Sequence, residues 1–222
     1  MQRISRYIIS LALLLPLLCN AQDTVRYPIN EMKGIRIGVD FSKFLLPIIY
    51  KGERTGFEGI ADMHIKGNLF AAAEAGWLSV NLDRAEYHYR QNGIYGRLGI
   101  DYNMLKSKVP NSNDIVYVGM RYGFSRFNQQ AENVTVPGYY WTGVQDQVIP
   151  KSSMNAQWIE FLLGVKAEVL KNFYVGINLR LKFTAVSPKN RFSTPYMIPG
   201  YGSGSANYAI GINYCMSYNI HF

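Results

Sequence analysis

Residues Asn207–Phe222 decide the fold, and they read NYAIGINYCMSYNIHF. From Tyr208 to Phe222 every second residue is apolar or aromatic, and the residues between them are small or polar. This period of two is typical of a β-strand, because successive side chains point to opposite faces. Strands of soluble proteins usually have about 5–6 residues, whereas a membrane-spanning strand needs about 9–11. The stretch therefore predicts a long strand with one apolar and one polar face.

Seven further segments show the same alternation. They are Gly34–Phe41, Phe57–Lys66, Leu69–Leu82, Gly93–Met104, Ile115–Ser125, Ala156–Val169 and Phe173–Ala185. The connections alternate between long and short, and long loops are predicted at 42–56, 83–92, 126–155 and 186–206. An even number of long strands joined in this way predicts an all-β fold, an eight-stranded antiparallel up-and-down transmembrane β-barrel.

The third segment, Leu69–Leu82, is the least regular. If Glu74 faces inward, the alternation also turns Leu78 and Val80 inward. A β-bulge inserts one residue and reverses the phase of a strand. We therefore expect a bulge near Gly76.

The charges of the predicted strands all fall on the small, polar faces. Seven are basic and seven are acidic: Arg36, Lys66, Arg97, Arg121, Lys166, Arg180 and Lys182, with Asp40, Glu58, Asp62, Glu74, Asp101, Glu160 and Glu168. The interior of an eight-stranded barrel is just wide enough for side chains to fill it, and charges buried there must be paired. The pattern predicts a salt-bridged plug, with a gated ion path as the alternative.

The first residues are typical of a secretory signal. Arg3 and Arg6 precede the apolar run Tyr7–Leu18, which is too short to span a membrane as a helix. We expect residues 1–21 to be cleaved, residues 22–33 to form a short periplasmic lead and residues 34–222 to form the barrel. Cys19 raises the alternative of a lipoprotein, against which the large Leu18 argues.

No catalytic, cofactor or metal site is predicted. The three histidines have no ligand-like spacing, and Cys215 alone remains after the signal, so no internal disulfide is expected. Ser79 and His88 fall near the predicted rim, which leaves a lipid-modifying enzyme as an alternative. No basic module for nucleic acid is present.

The predicted external loops are candidates for contact with other molecules. The net charge of +8 falls to +6 without Arg3 and Arg6 of the signal, and because the inward charges cancel, this excess lies in loops and ends, which favours contact with lipopolysaccharide phosphates. The aromatic cluster Tyr139, Tyr140 and Trp141 either forms a tip that binds a protein partner or packs on the barrel rim.

The alternation at Tyr218, Ile220 and the final Phe222 resembles the C-terminal insertion signal of bacterial outer-membrane barrels. The chain resembles small barrels of the OmpX/OmpA-transmembrane type and, in style, outer-membrane barrel proteins of Bacteroidota. The resemblance implies an outer-membrane location in a Gram-negative bacterium, both termini in the periplasm, and contact with outer-membrane lipid and the barrel-insertion machinery.

Four functions follow as hypotheses. The first is a non-enzymatic barrel with a plugged interior and external loops for surface interaction. The others are an accessory barrel of a secretion or envelope-assembly complex, the lipid-modifying enzyme, and a soluble secreted lipocalin-like binding barrel. The last predicts that the apolar faces are buried and the charges are in water.

Overall fold

The computed structural model describes residues 34–84, 87–105, 114–136, 145–188 and 194–221, without the side chains of residues 133–136 and 145–149. Several predicted features lie outside these residues: the signal 1–21, the lead 22–33, Tyr139, Tyr140, Trp141 and Phe222.

The described residues form ten strands. They are β1 (Ile35–Asp40), β2 (Arg54–Lys66), β3 (Leu69–Arg84), β4 (Tyr87–Asn103), β5 (Ile115–Val136), β6 (Gln145–Leu170), β7 (Phe173–Val186), β8 (Met197–Ile198), β9 (Gly202–Ser203) and β10 (Tyr208–Ile220). Eight of them close into a barrel in the order β1, β10, β7, β6, β5, β4, β3, β2, with every neighbouring pair antiparallel. This confirms the predicted eight-stranded up-and-down barrel. The short strands β8 and β9 pair with each other.

At the rim opposite the start of β1, the five strands β2–β6 extend further than predicted, and the extensions of β3–β6 correct two of the predicted loops. Residues 83–84 and 87–92 of the predicted loop 83–92 are strand, because β3 reaches Arg84 and β4 begins at Tyr87. Most of the predicted loop 126–155 is also strand, since β5 reaches Val136 and β6 begins at Gln145. In these extensions the outward residues are largely polar. The outward apolar residues that mark the rest of each strand in the sequence are therefore missing, although the backbone pairing continues.

The first strand is shorter than predicted and gives way to a helical segment. β1 ends at Asp40, whose carboxylate accepts a hydrogen bond from the backbone N–H of Ser42 at 3.0 Å. A 3-10 helix (Phe41–Leu45) and a short α-helix, α1 (Leu46–Ile49), follow where a loop is predicted from residue 42. The 3-10 helix contacts both β2 and β10, so it continues the barrel wall above β1. No helix among the described residues has the length and apolar character needed to cross a membrane.

The predicted bulge near Gly76 is wrong. The registers of β3 with β2 and with β4 run without a shift past Gly76, which pairs with Glu58 and Tyr95. The inward side chains above it form an apolar cluster instead, made of Leu78, Val80, Leu82, Tyr89 and Ala131. The interior is therefore charged at mid-height and more apolar towards the end from which β4–β6 project.

Glycines inside the barrel make room for aromatic rings on the neighbouring strand. Gly164 on β6 pairs with Tyr117 on β5, and a Cβ atom at Gly164 would lie 2.5 Å from Cζ of the Tyr117 ring. We predict that Gly164→Ala lowers the free energy of unfolding by about 1–3 kcal/mol, because the ring has no space to move in a packed interior. Urea unfolding of the refolded protein measures this.

Gly59→Ala is the matched control. Gly59 lies on the outer face of β2, and the nearest heavy atom to an added Cβ is 3.8 Å away. A change within about 0.5 kcal/mol is expected for this variant. Equal losses for both variants would contradict the packing described for Gly164.

Candidate functional site

The interior is organised around the carboxylate of Glu74 on β3. Arg180 donates to it twice, from Nη1 to Oε2 at 2.7 Å and from Nη2 to Oε1 at 3.0 Å. Arg97 Nη1 donates to Oε2 at 2.6 Å, and Arg121 Nε donates to Oε1 at 3.4 Å. Guanidinium groups from three strands therefore converge on one carboxylate, and bidentate pairing of this kind is among the stronger polar contacts.

Two more carboxylates balance these arginines. Glu58 accepts from Arg97 Nη1 at 2.7 Å, and Glu160 accepts from Arg180 Nη1 at 3.1 Å. Arg97 Nε lies 2.9 Å from Glu160 but points off the hydrogen-bond direction, so this contact is an ion pair. Asp101 completes the set and accepts from Arg121 Nη2 at 2.8 Å.

Aromatic donors fill the remaining acceptor positions of this layer. Tyr95 donates its hydroxyl to Glu58 at 2.6 Å, and Trp158 donates Nε1–H to Glu160 at 2.6 Å. Glu58 and Glu160 are both fully buried. A buried carboxylate is stable only when its oxygens are hydrogen-bonded, and these two meet that condition.

The contacts around Glu74 form one charged layer of the interior. A second charged layer lies nearer the rim at which β1 starts and β10 ends. Asp62 accepts from Lys166 Nζ at 2.5 Å and from Arg36 Nε at 2.6 Å. The Arg36 guanidinium also lies 5.0 Å from the ring centroid of Phe70, and Lys166 Nζ lies 5.1 Å from that of Tyr117. Each cation is thus neutralised by the carboxylate and covered by an aromatic face.

A third layer connects the barrel wall to the interior. Asp40 accepts hydrogen bonds from Asn213 Nδ2 on β10 and from the Ser42 hydroxyl, the latter at 2.6 Å. Lys43 in the 3-10 helix lies 3.5 Å from both Asp40 and Glu58. Beyond the end of β1, the 3-10 helix therefore takes the place of the strand in the wall and points the Lys43 cation into the interior.

The predicted external loop 186–206 is partly inside the barrel. Its β8–β9 hairpin turns at residues 199–201, where the carbonyl of Gly200 accepts from Arg97 Nη2 at 2.8 Å and Lys182 Nζ at 2.7 Å. Ile198 and Tyr201 are buried, and the Tyr201 ring packs against Trp158 with centroids 5.8 Å apart. The hairpin closes one mouth of the barrel over the charged layer.

Little free space remains between the charged layers. A cavity of about 20 Å³ is lined by Asp62, Glu74, Arg121 and Arg180 among other residues. This volume holds about one water molecule. In the part of the chain that the structure describes, the interior around the charges is filled.

Twelve of the fourteen charged residues predicted for the interior are buried there: Arg36, Asp40, Glu58, Asp62, Glu74, Arg97, Asp101, Arg121, Glu160, Lys166, Arg180 and Lys182. Of the other two, Lys66 is predicted wrongly, whereas Glu168 keeps the inward phase, opposite the buried Tyr174, at the rim of the barrel. A register shift between His64 and Lys66 leaves Lys66 exposed at the end of β2. Glu168 is half-buried beside a second shift, and it accepts from the backbone N–H of Asn172 at 2.6 Å.

The side chains considered for catalysis or metal binding are not brought together among the described residues. Ser79 pairs with Asn92, and His88 pairs with Asp83, which its Nδ1 contacts at 2.5 Å. Four residues along the sheet separate Ser79 from His88, or about 14 Å, which is beyond hydrogen-bond reach. Among the described residues no group of three His, Cys, Asp or Glu side chains could hold a metal ion. Cys215 is buried, with Asn178 Nδ2 3.9 Å from its Sγ.

The outer surface carries an apolar belt, defined by the outward residues of the barrel strands. On β4 it runs from Tyr102 to Ile94, on β5 from Val116 to Phe124, and on β6 from Val169 to Ile159. Tyr218 and Ile220 extend it on β10 and are half exposed. Above the belt the outward residues turn polar within one step, from Trp77 to Ser79, from Ile94 to Asn92 and from Phe124 to Arg126.

A family model, the domain of unknown function DUF6048, matches residues 4–222. The chain belongs to this family. No curated protein matches the chain. A crystal structure of a major outer membrane protein from Thermus thermophilus is similar at 11% identity, with a TM-score of 0.47, over 84% of this chain and 98% of that one.

Glu74 offers a direct test of the interior. We predict that Glu74→Gln lowers the free energy of unfolding by about 3–5 kcal/mol, because three buried guanidinium groups lose their shared counter-charge. Combining it with Arg180→Gln should cost less than the sum of the two single changes, since the double variant removes one cation and one anion together. Urea unfolding measures both.

Glu168→Gln provides the control, because it removes the same charge at a half-buried rim position. A loss within about 1 kcal/mol is expected. If Glu74→Gln were as mild as Glu168→Gln, the interior charges would not be sealed from water as described.

Proposed function

We propose that this member of DUF6048 is an outer-membrane β-barrel of a Gram-negative bacterium that acts without enzymatic chemistry, as a sealed scaffold that presents a projecting sheet and loops at the cell surface. The observation that carries the proposal is the inverted packing of the barrel. Charged side chains fill the inside, and a continuous apolar belt forms the outside. A soluble lipocalin-like barrel requires the reverse.

The height of the belt supports a membrane location. With about 3.4 Å per residue and a strand tilt near 40°, the outward apolar runs of β4, β5 and β6 rise roughly 21–26 Å along the barrel axis. The apolar band of outer-membrane barrels is about 25 Å tall. Tyr102 and Tyr218 lie near one edge of the belt, and Trp77 and Phe124 lie near the other. Aromatic residues at both edges are typical of such bands.

The connections between the strands support an orientation with both ends of the barrel chain in the periplasm. Ile35 at the start of β1 pairs with Ile220 at the end of β10, so both strand ends share one rim. The tight turns at 67–68 and 171–172 lie on the same rim. Short turns of outer-membrane barrels face the periplasm. The shared rim therefore supports an orientation in which the β8–β9 hairpin and the extensions of β4–β6 face the outside of the cell.

One observation favours a second function, that of an accessory barrel in a secretion or envelope-assembly complex. Beyond the belt β5 continues from Arg126 to Val136 and β6 starts at Gln145, so the two strands project by roughly 25 Å. A paired sheet of this height offers a rigid surface to a protein partner. Cross-linking at Glu132, an exposed residue of β5, in intact cells distinguishes the two functions by whether one defined envelope protein is captured.

The location is tested by a denaturing gel of the detergent-extracted protein, with and without boiling. We expect a boil-dependent change in apparent mass, because a closed barrel in an outer membrane resists detergent until it is heated. A protein that is soluble without detergent and shows no change would contradict the proposed location.

The sealed interior predicts that the barrel does not conduct ions. In a planar lipid bilayer we expect no discrete current steps, because the arginine and glutamate layers and the β8–β9 hairpin fill the interior. Stable single-channel steps from the folded protein would contradict the sealed state and favour the gated ion path.

The non-enzymatic assignment is tested by the masses of lipid A from cells that express the protein. We expect Ser79→Ala and His88→Ala to give the same lipid A masses as the parent protein, because the two side chains do not meet. A mass change that either variant abolishes would establish the lipid-modifying enzyme instead.

A further inference from the structure

A groove of about 690 Å³ lies on the outer face of β3–β6, directly above the apolar belt. The side chains that point outward around it include Arg90, Asn92, Arg126, Asn128 and Lys151. The inward residues behind it, Val80, Phe127 and Gln129, are only 1–2% exposed. The groove therefore opens to the outside of the barrel and is separate from the interior.

The cations of this groove lack acidic partners within the described part of the chain. Arg90, Arg126 and Lys151 are exposed, and no described carboxylate lies within 4.0 Å of them. Elsewhere on the same rim, by contrast, Arg84 is paired with Glu53 at 2.6 Å. Three unpaired cations in one concave surface favour an anionic ligand.

The strand registers set the spacing of these cations. Arg90 pairs with Gln130, and Arg126 pairs with Ile94, so the two arginines lie four residues apart along the sheet, or about 14 Å. Asn92 and Asn128 pair with each other between them. The groove thus has cations at both ends and amide groups at its centre.

A second groove, of about 480 Å³, lies in the apolar belt on β1–β4, so the two grooves share β3 and β4, and the second is nearer the rim that holds the chain ends. Its outer wall is lined by small residues, among them Gly59, Ala73, Ala75 and Gly96, beside the larger Leu98. Gly96 pairs with Phe124, two residues below Ile94 and Arg126. Small side chains in a lipid-facing surface leave a furrow whose shape and polarity suit an acyl chain.

We propose that the two grooves together bind a phosphorylated glycolipid of the outer leaflet. Phosphates contact Arg90, Arg126 and Lys151, sugar hydroxyls contact Asn92 and Asn128, and an acyl chain lies in the furrow below. A headgroup with phosphates at both ends matches the spacing of the arginines better than the single phosphate of a phospholipid. The proposal rests on the proposed function, because the rim with the basic groove must face the outer leaflet.

The test is native mass spectrometry of the detergent-solubilised full chain with five probes. These are bis-phosphorylated lipid A, mono-phosphorylated lipid A, phosphatidylglycerol, phosphatidylcholine and inorganic phosphate. We expect bis-phosphorylated lipid A to bind about tenfold more tightly than either phospholipid, with the mono-phosphorylated form between them, and inorganic phosphate at millimolar concentration not to displace it.

Variants assign the binding to the grooves. The triple variant Arg90→Gln/Arg126→Gln/Lys151→Gln should lose about tenfold in affinity for bis-phosphorylated lipid A. Arg126→Gln alone should lose part of this, whereas Lys51→Gln, an exposed cation elsewhere on the same rim, should change nothing. Ala73→Phe fills the apolar furrow and should weaken lipid A binding without removing any charge.

Three results would overturn the proposal: parent-like lipid A affinity in the triple variant, equal binding of phosphatidylglycerol and lipid A, or displacement by inorganic phosphate. The boil-dependent gel shift checks that each variant is folded. If the triple variant lacks the shift, the lipid A affinities of Arg126→Gln and Ala73→Phe test the proposal in its place. A parent protein without the shift contradicts the proposed function itself. A folded parent with no preference among the lipids contradicts only the glycolipid site.

Discussion

The pairing of buried charge around Glu74 is the constraint on which the rest of the structure depends. Three guanidinium groups contact this carboxylate, and Glu58 and Glu160 balance the excess positive charge. A barrel interior filled in this way has space for about one water molecule beside Glu74, too little to replace the hydrogen bonds of a missing charged partner. The strands must therefore hold a register that brings these residues to one level, and a slip of one residue would turn every charge outward into the belt.

The charged layer also explains what surrounds it. The β8–β9 hairpin is held in the mouth of the barrel through the Gly200 carbonyl, which accepts hydrogen bonds from Arg97 and Lys182. Lys43 in the 3-10 helix lies near Asp40 and Glu58, which ties the helical part of the wall to the same layer. Wall, plug and interior thus form one connected polar structure, which is why a rigid scaffold fits this barrel better than a pore.

The strand order and most of the interior were predictable from the sequence, because alternation and charge placement agree wherever one face is apolar. Glu74 and Arg97 are residues whose inward position was predicted in this way, since the residues on either side of each are apolar or small and face outward. The alternation of apolar and polar residues ends above the belt, where polar residues such as Asn92 and Asn128 point outward. The paired strands of that region were therefore predicted as loops. Leu78 suggested a bulge only because the upper interior was expected to be polar. The inward position of the β8–β9 hairpin was not predicted, because its main polar contacts are made by a backbone carbonyl, at Gly200.

The short first strand has a consequence for how the ring closes during folding. β1 pairs with β10 from Ile35 to Asp40 only, and these partners are separated by most of the chain. The other strand pairs are consecutive in sequence, except that β8 and β9 lie between β7 and β10, and all but the pair β1–β2 have longer ladders. Since loop-closure entropy opposes distant contacts until local ones exist, we expect the hairpins to form first and the seam between β1 and β10 to pair last. The species expected just before closure is an open, curved sheet with two free edges.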